Sequence, residues 1–189
     1  MRLVVSVCAG LALLLSGCNE TAQLNQPPVY YDVAGFVHQQ IKALSAAKPL
    51  VKKSVLVNEK RDEHTTRTIN WTRELELFTQ VDINKPALRT SYQISRPDSL
   101  TYQYTLKPTE EKLTVRSLLV RIDPATRKPR HIEAVLRTSN PLYSSERHLT
   151  LDGGPAGGQP WGISHYRLDG YQKLAYFDKN TFTVDGRVN

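Results

Sequence analysis

The five histidines, at positions 38, 64, 131, 148 and 165, have the widest chemical reach, because imidazole titrates near neutrality and binds zinc readily. No two of them stand at the i, i+4 spacing that places a ligand pair on one helix face. His131 and His148 become neighbours only if their strands pair in the right register, so solvated positions are the default and no metal or cofactor is expected. The acidic pairs Asp62-Glu63 and Glu110-Glu111 fall in turn-like sequence, whereas hydrolytic carboxylates face each other across a cleft. Leu142-Tyr143-Ser144-Ser145 lacks the setting of a nucleophile elbow. The stretch Gly153 to Gly158 has no following Lys-Ser/Thr, and its proline removes a backbone donor that a phosphate cradle needs. No nucleophile, base and orienting group assemble from this order of residues, so no catalytic residue is assigned and a hydrolase ranks last.

Binding is the better supported chemistry. Arg127, Lys128 and Arg130 form a basic run suited to lipid headgroups or another polyanion, set against the plainer reading of a solvated hairpin tip. Trp161, Tyr166, Tyr171, Tyr176 and Phe177 crowd into the last third of the chain. Such side chains combine large contact area with a polar handle and can line an apolar groove or meet a partner. The competing reading is strand filling by residues of high β-propensity, and Trp71 is likewise a core anchor first.

The elements that must position these residues follow from composition and pattern. The chain has 189 residues, 40% hydrophobic and 23% charged, enough for one domain with a real core. Two cysteines exclude a disulfide-dense scaffold and a four-cysteine zinc site. The net charge of +7 is spread along the chain and hints only weakly at an acidic partner such as an anionic membrane.

Met1-Arg2, the apolar run Leu3 to Leu15 and the small residues Ser16-Gly17 make a secretory signal, shorter than the roughly 20 residues of a spanning helix. Leu15-Ser16-Gly17-Cys18 resembles the lipobox of bacterial lipoproteins. That resemblance implies cleavage before Cys18 and acylation of its thiol. It also implies a membrane-lipid anchor, and, with Asn19 following, the periplasmic side of the outer membrane in a Gram-negative envelope. Two or three acyl chains hold stably where one does not, at about 0.8 kcal/mol per buried CH₂. Export makes nucleic acid an implausible partner. Loss of residues 1–17 removes only Arg2, so the balance falls from +7 to +6, and the mature chain keeps no free thiol.

Residues 18–29 are expected to form a polar tether ending in the stiff Pro27-Pro28, and residues 30–189 a single domain. A helix is expected from the N-cap Asp32 to Lys48, with Val33, Val37, Ile41 and Leu44 on one stripe, and Tyr30 and Tyr31 packed on its first turn as a staple. A second is expected from Asn70 to about Val81. Residues 50–68 suggest an amphipathic strand, a turn and a second short strand.

Beyond residue 88 the period becomes two. Strands are expected at 88–95, 99–106, 112–123, 130–139, 147–152, 162–168, 171–177 and 181–188. Asp169-Gly170 is expected as a tight hairpin turn, and 152–160 as a mobile flap. The phase change within 113–122 points to a bulge or to cover on both faces.

The expected fold class is α+β, with two N-terminal amphipathic helices on a curved antiparallel sheet, and an all-β barrel with a helical appendage is the rival. This layout is similar to that of periplasmic lipoproteins that carry or chaperone apolar ligands. The expected function is a non-enzymatic envelope lipoprotein binding an apolar ligand or a protein partner, with a structural component of an outer-membrane complex as the alternative.

Overall fold

The computed structural model describes residues 27–189; the leader, Cys18 and the tether up to residue 26 lie outside the described residues. Most of the chain is one nine-stranded antiparallel sheet, and the helical part is small. The strands are β1 (Val51–Val57), β2 (Lys60–Thr66), β3 (Tyr92–Ser95), β4 (Thr101–Leu106), β5 (Val115–Ile122), β6 (Pro129–Asn140), β7 (Tyr143–Ala156), β8 (Gln159–Leu174) and β9 (Asn180–Val188). Their order across the sheet is β2-β1-β9-β8-β7-β6-β5-β4-β3. Strands β3 to β9 follow one another as antiparallel neighbours, as short connections dictate, and β9 returns beside β1. With β2 and β3 at opposite ends of this order, the sheet is open and is not the closed barrel of the rival expectation.

Helix α1 spans Val33–Ala47, starts where Asp32 Oδ1 accepts the Gly35 N–H at 2.8 Å, and ends at Lys48 in a left-handed conformation before Pro49. The tyrosines before it also reach the sheet. Tyr30 packs edge-on against Tyr92 and Tyr104, with centroids 5.6 and 5.3 Å away, and Tyr31 N–H donates to the Tyr104 hydroxyl at 2.8 Å. The expected second helix is broken into α2 (Trp71–Glu74) and α3 (Glu76–Thr79), because Leu75 leaves helical geometry at φ −102° and ψ 11°. Trp71, Leu75, Phe78 and Val81 are nevertheless all buried, so the apolar spacing identified the packed side correctly.

Residues 51–66 form the expected strand, turn and strand, with Asn58 at φ 53° in the turn. The expected strand 88–95 starts only at Tyr92, because Pro86–Leu88 form a 3₁₀ turn. The largest correction concerns β8, which runs unbroken through Asp169 and Gly170. Gly170 is needed for another reason: a Cβ there would overlap the Glu146 carbonyl of β7. The tight turn lies in the expected flap, where Gly157 and Gly158 take φ of 57° and 74° between the paired residues Ala156 and Gln159. Positive φ at both central positions is the demand of a type I′ hairpin turn, and glycine meets it without strain.

Alternation sends Leu118, Val120, Ile132, Ala134, Leu136, Leu149, Leu151 and Tyr166 to one buried face, where they join Val33, Val37 and Leu44 of α1 and the apolar side of α2 and α3. The phase change in β5 is a bulge between Val115 and Ser117, one of the two expected explanations. The opposite face of the strands is mostly polar, with Leu56 and Leu119 among the exceptions.

Candidate functional site

On the inner face, α2 and α3 do not cover the sheet fully. A groove of about 580 Å³ lies beside them, with an apolar wall of Ile69, Leu77, Phe78, Leu168 and Val184. Its polar side is built from three elements. Lys53 of β1 sits 2.7 Å from Glu74 of α2, and the Tyr166 hydroxyl of β8 donates to the other oxygen of Glu74 at 2.8 Å. The Trp71 ring meets Tyr166 edge-on at 6.1 Å between centroids. Burial pushes the Tyr166 hydroxyl pKa well above its ordinary value, and the Glu74 carboxylate adds to that shift. Tyr166 therefore stays a neutral donor, and the groove presents fixed charge at one side and hydrocarbon at the other. That pairing suits a ligand with a polar head and an apolar body. A second hollow of about 460 Å³ lies on the far side of Gln80, toward Leu88, Tyr92 and Val115.

On the outer face, the register lines up alternating imidazoles and carboxylates across β6, β7, β8 and β9. His131 Nδ1 meets Asp152 Oδ1 at 2.6 Å, Asp152 Oδ2 meets His165 Nδ1 at 2.9 Å, and His165 Nε2 meets Asp185 Oδ2 at 2.9 Å. Glu133 closes the row at 2.6 Å from His131 Nε2. An imidazole satisfies carboxylates on both of its nitrogens only when both carry hydrogen. Partial burial alone would lower the His165 pKa, but Asp152 and Asp185 outweigh it and hold it above the ordinary 6.5. Burial would raise Asp152 in turn, yet His165 and His131 bring it below the usual carboxylate value. The row is extended rather than convergent, and among the described residues no group of three or more His, Cys, Asp or Glu side chains could hold a metal ion.

The histidine pair considered from sequence does not form. His131 stands opposite Asp152, and His148 opposite Val135, so the neighbour of His131 across one carboxylate is His165. His148 and His64 each face a carboxylate on their own strand, Glu146 at 3.1 Å and Asp62 at 3.2 Å, and His38 is exposed on α1. Asp62 and Glu63 lie within β2 rather than in a turn.

The four aromatic candidates do not share one surface. Tyr166 is buried in the inner groove, whereas Trp161 donates to the Pro129 carbonyl at 3.3 Å near the start of β6. Tyr171 lies under the Lys179 ammonium at 3.8 Å, and Tyr176 is fully exposed at φ 67° in the turn before β9. Arg127 and Lys128 occupy the β5–β6 turn, and Arg130 lines a shallow hollow with Arg121, Asp98 and Asp152. At the opposite end of the strands, the β6–β7 and β8–β9 turns expose Leu142, Leu174, Tyr176 and Phe177 together, joined by the Ala175 N–H bond to the Leu142 carbonyl at 2.9 Å.

Lys53, Glu74, Asp152 and Asp185 were missed as candidates. Strand parity was the signal for Asp185, which with Arg187 alternates with Val184 and Val188, whereas Glu74 lies on α2 and carried no such signal. Among the described residues, no helix is long and apolar enough to cross a membrane. No protein-family model matches the chain, and neither a curated protein nor a solved structure matches it.

Proposed function

We propose that the chain is a non-enzymatic, lipid-anchored envelope protein that holds an amphipathic, largely apolar ligand in the inner groove. In this reading residues 1–17 are the leader, Cys18 carries the acyl chains, residues 18–29 are the tether and residues 30–189 are one α+β domain with its helices on a curved sheet. In a Gram-negative cell its place is the periplasmic side of the outer membrane. The observation that carries the reading is the groove itself, where hydrocarbon from Leu77, Leu168 and Val184 adjoins the fixed Lys53–Glu74–Tyr166 unit.

Native mass spectrometry of protein extracted from its own membrane tests it. The expected result is a chain cleaved before an acylated residue 18, carrying one additional lipid-sized mass. Leu168→Glu, which puts a charge in the apolar wall, should release that mass while the chain stays folded. A chain with residue 18 unmodified and no bound mass would overturn both parts of the reading. One specific observation favours a second reading, docking on another envelope protein as an assembly component: the exposed apolar end formed by Leu142, Leu174, Tyr176 and Phe177. In that case a co-purifying protein, lost in Phe177→Ser, replaces the lipid.

A further inference from the structure

A hollow of about 410 Å³ lies on the outer face of β2, β1, β9 and β8, on the opposite side of the sheet from the inner groove. Four cations surround it, Lys52, Arg61, Arg167 and Arg187, against two carboxylates of the lining, Glu63 and Asp185, and Arg167 is also held by Asp169 at 2.9 Å. Both carboxylates are engaged. Glu63 meets Arg61 at 3.2 Å, and Asp185 meets His165 at 2.9 Å and Arg167 at 3.8 Å. Lys52 and Arg187 have no carboxylate partner among the described residues, yet the β1–β9 register sets them directly opposite each other. Like charges at such a pair repel and destabilise a sheet, so an unpartnered pair of this kind calls for an anion between its members. The Thr183 hydroxyl adds a neutral donor to the same hollow, whereas the Ser54 hydroxyl already donates to Glu63 at 3.4 Å.

An ammonium, a planar guanidinium and a hydroxyl around one concavity match the several oxygens and double charge of a phosphate monoester better than the two oxygens of a carboxylate. We propose that this hollow binds a phosphomonoester group, with Lys52 and Arg187 as its direct ligands and Arg167 and Arg61 completing the positive rim. The site goes beyond the inner-groove reading and does not depend on it. The same chemistry is offered by a lipid headgroup and by a soluble phosphate.

The test uses the full-length chain in micelles of an uncharged detergent at constant ionic strength, with phosphorus NMR as the readout. One arm adds inorganic phosphate, and the other dopes the micelles with phosphatidic acid. A saturable shift in the first arm assigns a soluble phosphate, one in the second alone assigns a headgroup, and one in both assigns the group irrespective of carrier. Lys52→Gln and Arg187→Gln should each weaken the affinity about tenfold, equivalent to about 1.4 kcal/mol. Lys52→Arg keeps the charge and should retain binding. Lys42→Gln, an exposed cation of α1 outside the hollow, should leave the affinity unchanged. No saturable shift in either arm would overturn the proposal, and so would an equal loss in Lys42→Gln, which would mean diffuse attraction to a basic protein rather than a site.

Discussion

Leu118 and Leu119 are consecutive residues of β5, yet the first is fully buried on the inner face and the second is half-buried on the outer one. The whole sheet repeats that contrast. Its inner side is held by hydrocarbon from six or more strands and three helices, and its outer side by charge pairs between neighbouring strands. Buried apolar area contributes roughly 25 cal/mol per Å², whereas an exposed ion pair contributes between 0 and about 1 kcal/mol. The inner face therefore sets stability, and the outer face is free to carry unfavourable charge where a ligand rewards it.

The sharpest way to break this comparison is to truncate both leucines. Leu118→Ala should cost about 2–5 kcal/mol in urea unfolding, through lost transfer free energy and the cavity left behind. Leu119→Ala should cost less than about 1 kcal/mol. Equal losses would mean that both faces of β5 are covered. Adding volume to the inner face should also be costly. A Cβ at Gly186 would overlap the Tyr166 ring, which is only 1% exposed and tied to Glu74. Gly186→Ala should therefore destabilise by about 1–3 kcal/mol, and it should also loosen the groove by displacing Tyr166. Gly158→Ala offers the contrasting case, since no atom stands in its way and only its positive φ resists the change.

The outer row of imidazoles and carboxylates answers to pH instead of to volume. The folded pKa of His165 is raised above 6.5, so its contribution is complete below pH 6.5 and is lost as pH rises through the folded value. The folded pKa of Asp152 is lowered below 3.8, so its contribution is complete above pH 3.8 and is lost as pH falls through the folded value. Both are present together between those two reference values. Urea midpoints should accordingly decline from pH 6.5 upward in the native chain, and much less in His165→Gln. An unchanged alkaline limb in that variant would show that His165 does not gain its proton from Asp152 and Asp185.

How much of this was legible in the sequence depended on whether the controlling contact was local. The alternation of Ile132, Ala134 and Leu136 with His131, Glu133 and Arg137 gave the buried side of β6 correctly, because side-chain direction in a strand has period two. The Asp32 cap and the Pro49 stop of α1 are equally local. Gly170 was misread because a missing Cβ serves a turn and a close strand approach alike, and the backbone it makes room for, at Glu146, lies on another strand. Placing the turn at Gly157-Gly158 also fixes which residues of β7 and β8 face each other, including Asp152 and His165. Without that register, and the bulges at Asp152/Gly153 and Gly154/Ala156, the outer row was out of reach. The break at Leu75 left no trace, since a helix interrupted for one residue keeps the same apolar spacing.

The smallest expected effect has the opposite sign. Lys52 and Arg187 face each other across β1 and β9, and His165 follows Arg187 in the β9–β8 register, so three groups able to carry positive charge stand in one line. Replacing either cation by a neutral side chain of similar reach relieves repulsion and leaves no buried group unpaired. Lys52→Gln and Arg187→Gln should each raise the stability of the phosphate-free protein by about 0.2–1 kcal/mol. The double variant should gain less than the sum, because either change alone already removes the shared repulsion. Added sodium chloride should shrink the gain as the Debye length falls toward about 3 Å at 1 M. A loss of stability in either variant would show that these side chains support the sheet by packing their stems, and that the outer face follows the same rule as the inner one.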